Sequence, residues 1–347
     1  LNLETVAKAA GVSVATASLA LNDHPRVAAR TKQHVLEVAA RIGYVPHQAA
    51  RRLVRSHVRK DERPLEQVGF IFFDSLGVEL DLLYLSLMRG IEYELSRHGI
   101  TMAFLRVSNE VDRTKVARFV QSGWVDGWLM VGNIDDSTLD LVGAGNLPGV
   151  IVGQHHCKRP VHCVDMDYTA IGRMGVEYLA GLGHRRIAYF GGTMRYLYQH
   201  DMLHGYKSAV QALGLDLEEH LIQVWKGTQL VPLETRMEEA LTPSAPATAA
   251  FGSELNMAQS LVDILRQRFE LQVPADISVV TTQLDAGATA NMTRIEFPCA
   301  EVGRAGAALL REIATQPKSA PRRVLVAPKL IEGWSCRRLT NEESNIT

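Results

Sequence analysis

Residues 4–22 read Glu-Thr-Val-Ala-Lys-Ala-Ala-Gly-Val-Ser-Val-Ala-Thr-Ala-Ser-Leu-Ala-Leu-Asn. No other stretch limits so tightly what this chain can fold into. Val6, Ala7 and Ala10 fall at helical spacing behind Asn2, a residue suited to cap a helix. Gly11 supplies the left-handed conformation that ends that helix. Ser13 then caps a second short helix, with Thr16 three residues on. Two short helices about a glycine turn form the motif that lays its second helix in a DNA major groove. A third helix over about 28–42 closes the bundle, with Val35, Leu36, Val38, Ala39 and Ile42 as its inward stripe.

Residues 44–55 read Tyr-Val-Pro-His-Gln-Ala-Ala-Arg-Arg-Leu-Val-Arg. Pro46 suits the first turn of a helix, Arg51, Arg52 and Arg55 make a basic edge, and Leu53 projects from it. Such a helix is too short to stand alone and needs a partner or DNA to form. A pair of them could wedge leucines between base steps of the minor groove.

Charge is divided in the same way. The 347 residues carry a formal net charge of −1. Residues 1–63 hold 11 Lys/Arg and 5 Asp/Glu, a balance of +6; the remainder holds 26 and 33, a balance of −7. A basic head on an acidic body is the footprint of a nucleic-acid reader. With 46% hydrophobic residues the chain is long enough for more than one core. The four cysteines lack CxxC spacing, which suits reduced thiols. No secretory signal and no apolar run of transmembrane length is present, so a cytoplasmic protein without membrane contact is expected.

The sequence offers no GxSxG, P-loop or HExxH, so no catalytic residue and no cofactor is predicted. His155, His156, Cys157, His162 and Cys163 bring metal-ligand types into ten residues. Their spacing matches no zinc pattern, and a solvated loop leading into a strand is the simpler reading, so no metal is predicted.

After a polar linker at 57–66, short apolar runs alternate with helical stretches. Strands are expected at 68–73, 101–107, 127–131, 149–153, 187–191, 222–225, 248–251 and 277–281, and helices at 79–98, 168–182, 199–213, 255–268 and 300–314, among others. This alternation implies parallel sheets covered by helices, with a cleft at the carboxyl ends of the strands.

The run Val-Ala-Lys-Ala-Ala-Gly-Val-Ser-Val-Ala-Thr-Ala-Ser, then Leu-Asn, then Gly-Tyr-Val-Pro-His-Gln-Ala-Ala-Arg-Arg-Leu, resembles the LacI/GalR family of bacterial transcription regulators. The likeness continues in Met88-Arg89-Gly90-Ile91-Glu92, Asp126-Gly127, Gly172-Arg173, Gly183-His184-Arg185-Arg186-Ile187, Gly205-Tyr206 and Asp276-Ile277-Ser278-Val279-Val280, over nearly the whole chain. It implies an all-α helix-turn-helix head plus an α/β periplasmic-binding-protein-like (type I) core of two doubly wound subdomains. The implied divisions are a head at 1–46, a hinge helix at 47–56, the linker, a core at 67–340 and a tail at 341–347. Within the core, about 67–162 and 292–322 form one subdomain and about 163–291 and 323–340 the other, with crossovers near Cys163, Asn291 and Arg322.

The resemblance places Val14 and Ala15 at base edges with Leu19 one turn later, and Ser13, Thr16, Ser18 and Asn22 at phosphates and bases. Asn2, Arg26, Tyr44, His47, Ala50 and Arg51 match further DNA-contacting positions, and Leu53 the intercalating one. Many relatives carry arginine where Leu19 stands, and leucine cannot make a bidentate contact to guanine. Ala28 likewise lacks the hydroxyl that usually caps the third helix.

Effector-lining positions fall, by resemblance, on Phe73, Asp74, Tyr84, Gln154, Met166, Tyr196, Tyr198, Met202, Trp225, Ser253, Gln283 and Phe297. Met202 stands where relatives usually offer arginine, and Gln283 where they usually offer aspartate. Three readings stay open: a sugar held by Asp74, Gln154, Ser253 and Gln283 and stacked on Trp225; a less polar ligand; or a cleft without ligand response. Arg173 could bind an anion, yet its place at a helix start favours a structural role. The expectation is a homodimeric repressor on a near-palindromic double-stranded operator, controlled by a small, sugar-like effector. No heptad-rich segment follows Trp334-Ser335-Cys336, so no coiled-coil tetramer is expected.

Overall fold

Asn2 opens the first helix, α1 (Leu3–Ala9): its Oδ1 accepts from the Thr5 amide at 3.0 Å and from Thr5 Oγ1 at 2.7 Å. Gly11 ends the turn at φ +65°, and Val12 N returns to Ala7 O at 3.0 Å. Ser13 Oγ accepts from the Thr16 amide at 3.0 Å at the head of α2 (Val14–Leu21). In α3 (Ala29–Arg41), Ala28 begins the helix in extended conformation without a side-chain cap. Val6, Ala7, Ala17, Ala20, Val35, Val38 and Ala39 make the core of this small bundle. Leu36 departs from the expected stripe and is 51% exposed. A helix turns about 100° per residue, so one position past Val35 already points off the face shared with Val38 and Ala39.

This computed structural model describes residues 2–21, 24, 26–44, 65–74, 81–108, 110–132, 134–143, 147–225, 231–242, 246–254, 257–284, 291–316 and 318–340. Asn22, His47, Ala50, Arg51 and Leu53, the hinge helix at 47–56, most of the linker and the tail at 341–347 lie outside the described residues. The chain falls into two compact units, 1–64 and 65–347.

Among the described residues the larger unit contains two sheets. Its strands are β1 (Gln67–Phe73), β2 (Thr101–Val107), β3 (Gly127–Gly132), β4 (Gly149–Val152), β5 (Cys163–Met166), β6 (Ile187–Thr193), β7 (Ile222–Trp225), β8 (Ala249–Gly252), β9 (Ser278–Leu284), β10 (Arg294–Phe297), β11 (Arg323–Val326) and β12 (Lys329–Ile331). The helices are α4 (Asp81–Ser96), α5 (Glu110–Gln121), α6 (Asp136–Gly143), α7 (Tyr168–Gly181), α8 (Leu197–Ala212), α9 (Leu233–Leu241), α10 (Met257–Arg268) and α11 (Cys299–Thr315). The first sheet runs β11-β5-β4-β3-β1-β2 and the second β12-β10-β9-β8-β6-β7. These are one doubly wound order used twice, each sheet ending on a strand borrowed from the chain's last crossing. Every pairing is parallel except β10 with β12. Buried parallel strands have helices on both faces, and accordingly β1 is buried from Val68 to Phe73.

The crossings fall one short strand later than expected. β5 pairs with β4, β10 with β9, and β11 with β5. The chain therefore changes sheets after Met166, after Phe297 and after Val326, rather than near Cys163, Asn291 and Arg322. Each strand is four residues long. Runs that short carry no periodicity to say which sheet they finish.

The two helices that enter a lobe through a crossing dock in the same way. A β-carbon on Gly90 of α4 would overlap the Ala300 carbonyl of α11, and one on Gly303 would overlap the Leu87 carbonyl. In the second lobe Gly172 of α7 meets the Met202 carbonyl, and Gly205 of α8 meets the Thr169 carbonyl. Backbones this close need glycine on both sides. One apolar core, running from Phe70 and Leu129 through Met166, Tyr168, Phe297 and Cys299 to Tyr189 and Phe251, joins the lobes.

Candidate functional sites

On the head, the capping of α2 decides what its N-terminal end presents. Ser13 and Ala15 are exposed and Val14 is 44% exposed. Ser13 Oγ also lies 2.8 Å from Thr16 Oγ1. Thr16 and Ser18 are half-buried. Leu19 and Tyr44, both proposed at DNA, are half-buried against the bundle core. Arg26 is exposed, and the Asn2 side chain is occupied with its cap. The surface offered by α2 is thus small, apolar and hydroxyl-bearing.

In the larger unit, each sheet has a switch point where successive strands are laid down on opposite sides: between β1 and β3, and between β6 and β8. The crevice at such a point, outside the carboxyl ends, is where doubly wound sheets bind ligands. Asp74 follows β1 and accepts from Arg106 Nε at 3.0 Å in an ion pair. Tyr84, on the first turn of α4, lies against Phe72 with ring centroids 4.1 Å apart. Burial, reinforced by Asp74 and Tyr196, pushes its phenol up to about 12. Tyr196 and Tyr198 stack at 5.6 Å and 12° in the turn that opens α8. Burial and then Glu254 push the Tyr198 phenol up to about 12 as well. These groups stay neutral donors through the physiological range.

Gln154, at the end of β4, donates from Nε2 to Asp201 Oδ2 of α8 at 3.3 Å, a hydrogen bond from one lobe to the other. Ser253, buried after β8, donates to Gln199 Oε1 at 3.3 Å. Trp225 ends β7 half-buried, its Nε1 buried without a hydrogen-bond partner among the described residues. Gln283 is half-buried near the end of β9. The remaining expected positions sit deeper. Phe73, Met166, Met202 and Phe297 are at most 4% exposed and belong to the apolar cores. Sequence reasoning passed over Gln199, Asp201 and Glu254. The signal was available for Glu254, a polar residue just past the carboxyl end of a parallel strand; Asp201 lies in the second turn of α8, and Gln199 is fully buried.

The His/Cys run is held by local structure. Cys157 N donates to His155 Nδ1 at 3.2 Å, and Cys157 Sγ lies 3.8 Å from Ile134 O. Burial raises the Cys157 thiol to about 11 and lowers His155 and His162. Among the described residues no group of three or more His, Cys, Asp or Glu side chains could hold a metal ion. Arg173 is exposed and paired with Glu177 one helical turn on, at 3.1 Å. No described helix is long and apolar enough to cross a membrane.

Residues 2–47 match the family of bacterial regulatory proteins described as the lacI family, and residues 176–336 match the periplasmic binding protein-like domain. The HTH-type transcriptional regulator CelR of Thermobifida fusca is 26% identical over 336 residues, 95% of this chain and 96% of its own length. Catabolite control protein A of Priestia megaterium is 26% identical over 311 residues, 88% and 90% of the two chains. Among solved structures, a lac repressor dimer bound to operator and the anti-inducer ONPF covers 97% of this chain and 99% of its own at TM-score 0.73 and 20% identity. A CelR–cellobiose complex covers 96% and 99% at TM-score 0.63 and 24% identity.

Proposed function

The chain belongs to the lacI family of bacterial transcription regulators, and we propose that it is a homodimeric repressor whose grip on a near-palindromic operator is set by a small, sugar-like molecule in the cleft. The observation that carries this reading is the pairing of two parts in one chain. A basic helix-turn-helix head precedes a two-lobed core whose ligand crevices lie at its switch points. The cleft supports a hydroxylated ligand through Asp74, Gln154, Ser253 and Gln283, with Trp225 and the Tyr196–Tyr198 stack as aromatic walls. That a relative has been solved with cellobiose agrees with it.

Two heads require two chains, since protein symmetry is mirrored in the operator. The first lobe offers a face for this in Leu82, Leu85, Tyr93 and Phe104, each at least 48% exposed. Ligand would act by preferring one angle between the lobes, so that its differential affinity shifts the population competent for DNA. Leu53 would enter the minor groove from each hinge. The protein would act in the cytoplasm, without catalysis, metal or cofactor.

Footprinting of the full-length protein on the DNA flanking its own gene tests the regulator. A two-fold symmetric protected site is expected, weakening steeply as salt rises. A flat salt response or no protected site would refute it.

A further inference from the structure

We propose that the outer edge of β7, with the acidic groove beside it, docks an extended, basic peptide segment of another protein, which adds a strand to the second sheet. The groove starts at the amino end of β7, opposite the carboxyl ends that face the cleft, and the inference does not rest on the effector reading above.

β7 is the last strand of its sheet, and among the described residues no strand pairs with its outer side. Trp225 O accepts from Met194 N, just past β6, at 3.0 Å. Backbone groups alternate in direction along a strand, so those of Ile222 and Val224 point away from β6. A strand edge of this kind offers its N–H and C=O groups to an extended partner. The strand is held from within: Ile222 and Val224 pack against the core, and Gln223 Nε2 donates to His220 O at 2.8 Å.

A groove of about 720 Å³ runs along this edge. Glu218, Glu219 and His220 line it from the turn before β7, Ile222 and Val224 from the strand, and Glu239 from α9. Its acids form two layers. Glu218 is half-buried and engaged, paired with the buried Arg186 and 3.3 Å from His220 Nδ1. Glu219 and Glu239 are exposed, and among the described residues neither is in an ion pair. Leu217, next to Glu218, is 48% exposed.

Charge alone is enough to guard an edge strand against wrong pairing. This edge adds a groove and an exposed leucine to two unpaired carboxylates, which together offer a partner area as well as charge. The complement is a strand carrying lysine or arginine toward Glu219 and Glu239 and an apolar side chain toward Leu217. An acidic segment would meet like charge here.

The test is fluorescence anisotropy of a labelled, end-blocked octapeptide of alternating lysine and valine, titrated with the full-length protein. Saturable binding is expected, with residues 222–224 protected from hydrogen exchange. Glu219→Lys combined with Glu239→Lys should weaken it by about tenfold or more, since two attractions become repulsions. Glu270→Lys combined with Glu332→Lys makes the same change of net charge at exposed positions outside the groove and should leave affinity within about twofold. The octapeptide N-methylated at every residue keeps its charge but loses its amide donors, and should bind at least about tenfold more weakly. Thermal melting shows whether the variants keep the fold; if the lysine pair does not, Glu219→Gln with Glu239→Gln replaces it, with a loss of about threefold expected. No saturable binding, no protection at β7, binding that survives the groove variants, an equal loss in the control pair, or equal binding of the methylated peptide each overturns the site.

Discussion

Gln154 and Asp201 reach across the cleft, the amide of the first lobe donating to the carboxylate of the second at 3.3 Å. A part-buried hydrogen bond to a charged group is worth about 1.5 kcal/mol. That is small against the fold and comparable to the coupling energies of allosteric proteins. Gln154→Ala should lower the melting temperature of the core by no more than about 4 °C. It should speed hydrogen exchange at the start of α8 by several fold. Unchanged exchange there would show that the bond does not hold the lobes together.

The glycine crossings predict a stronger effect. Gly90→Ala would drive a methyl group into the Ala300 carbonyl, where α4 and α11 have no flexible side chain to give way. The helices must separate, so a loss of about 3 kcal/mol or more is expected. Urea denaturation of Gly90→Ala beside Gly143→Ala, a helical glycine with nothing near its β-carbon among the described residues, checks this. Equal midpoints would refute the close approach.

The head can be strengthened and weakened at its caps. Ala28 has the extended conformation of an N-cap, at φ −61° and ψ 143°, without a side-chain acceptor. Ala28→Ser should stabilise the head by about 1 kcal/mol, and Asn2→Ala should destabilise it by a similar amount. Amide exchange in α1 and α3 reads both. A cap change without effect on exchange would mean these helix ends are held by other contacts.

Asp165 should make stability fall as the solution becomes less acidic. Burial pushes its carboxyl up to about 6, despite the amide of Met166 and the Arg323 guanidinium. Between about pH 4 and 6 the folded chain therefore holds a proton that the unfolded chain releases. Stability is highest below that window and declines through it, by up to about 3 kcal/mol from this group. Asp135, held down to about 2 by Ser137 and Thr138, acts with the opposite sign at lower pH. The useful quantity is thus the difference between wild type and Asp165→Asn, whose stability should change less from about pH 4 to 7. Identical pH profiles would remove Asp165 from the account.

These predictions mark where the sequence was readable. β2 and β7 were expected at the residues they occupy, and the caps at Asn2 and Ser13 were legible because their chemistry is local. β5, β10, β11 and β12 have only three or four residues, and their sheet is chosen by packing far along the chain. At the strand ends and helix starts beside the cleft, one residue decides which way a side chain points. Met202 faces the core while Asp201 beside it faces the first lobe, a separation of one 100° step on α8. Phe73 is core while Phe72 meets Tyr84, a separation of one flip of the strand. Likeness in sequence aligns positions; the direction of a side chain follows from the pitch of the element that carries it.

The late crossings bear on how the molecule is made. The first sheet begins at Gln67 but its edge strand is Arg323–Val326, and the second is finished only by Lys329–Ile331. A ribosome releases the head long before either sheet can close. Until the last crossing emerges, β5 waits with an unpaired edge, a surface open to wrong partners. The chain acquires its grip before its sense, and both lobes are completed within a few residues of each other.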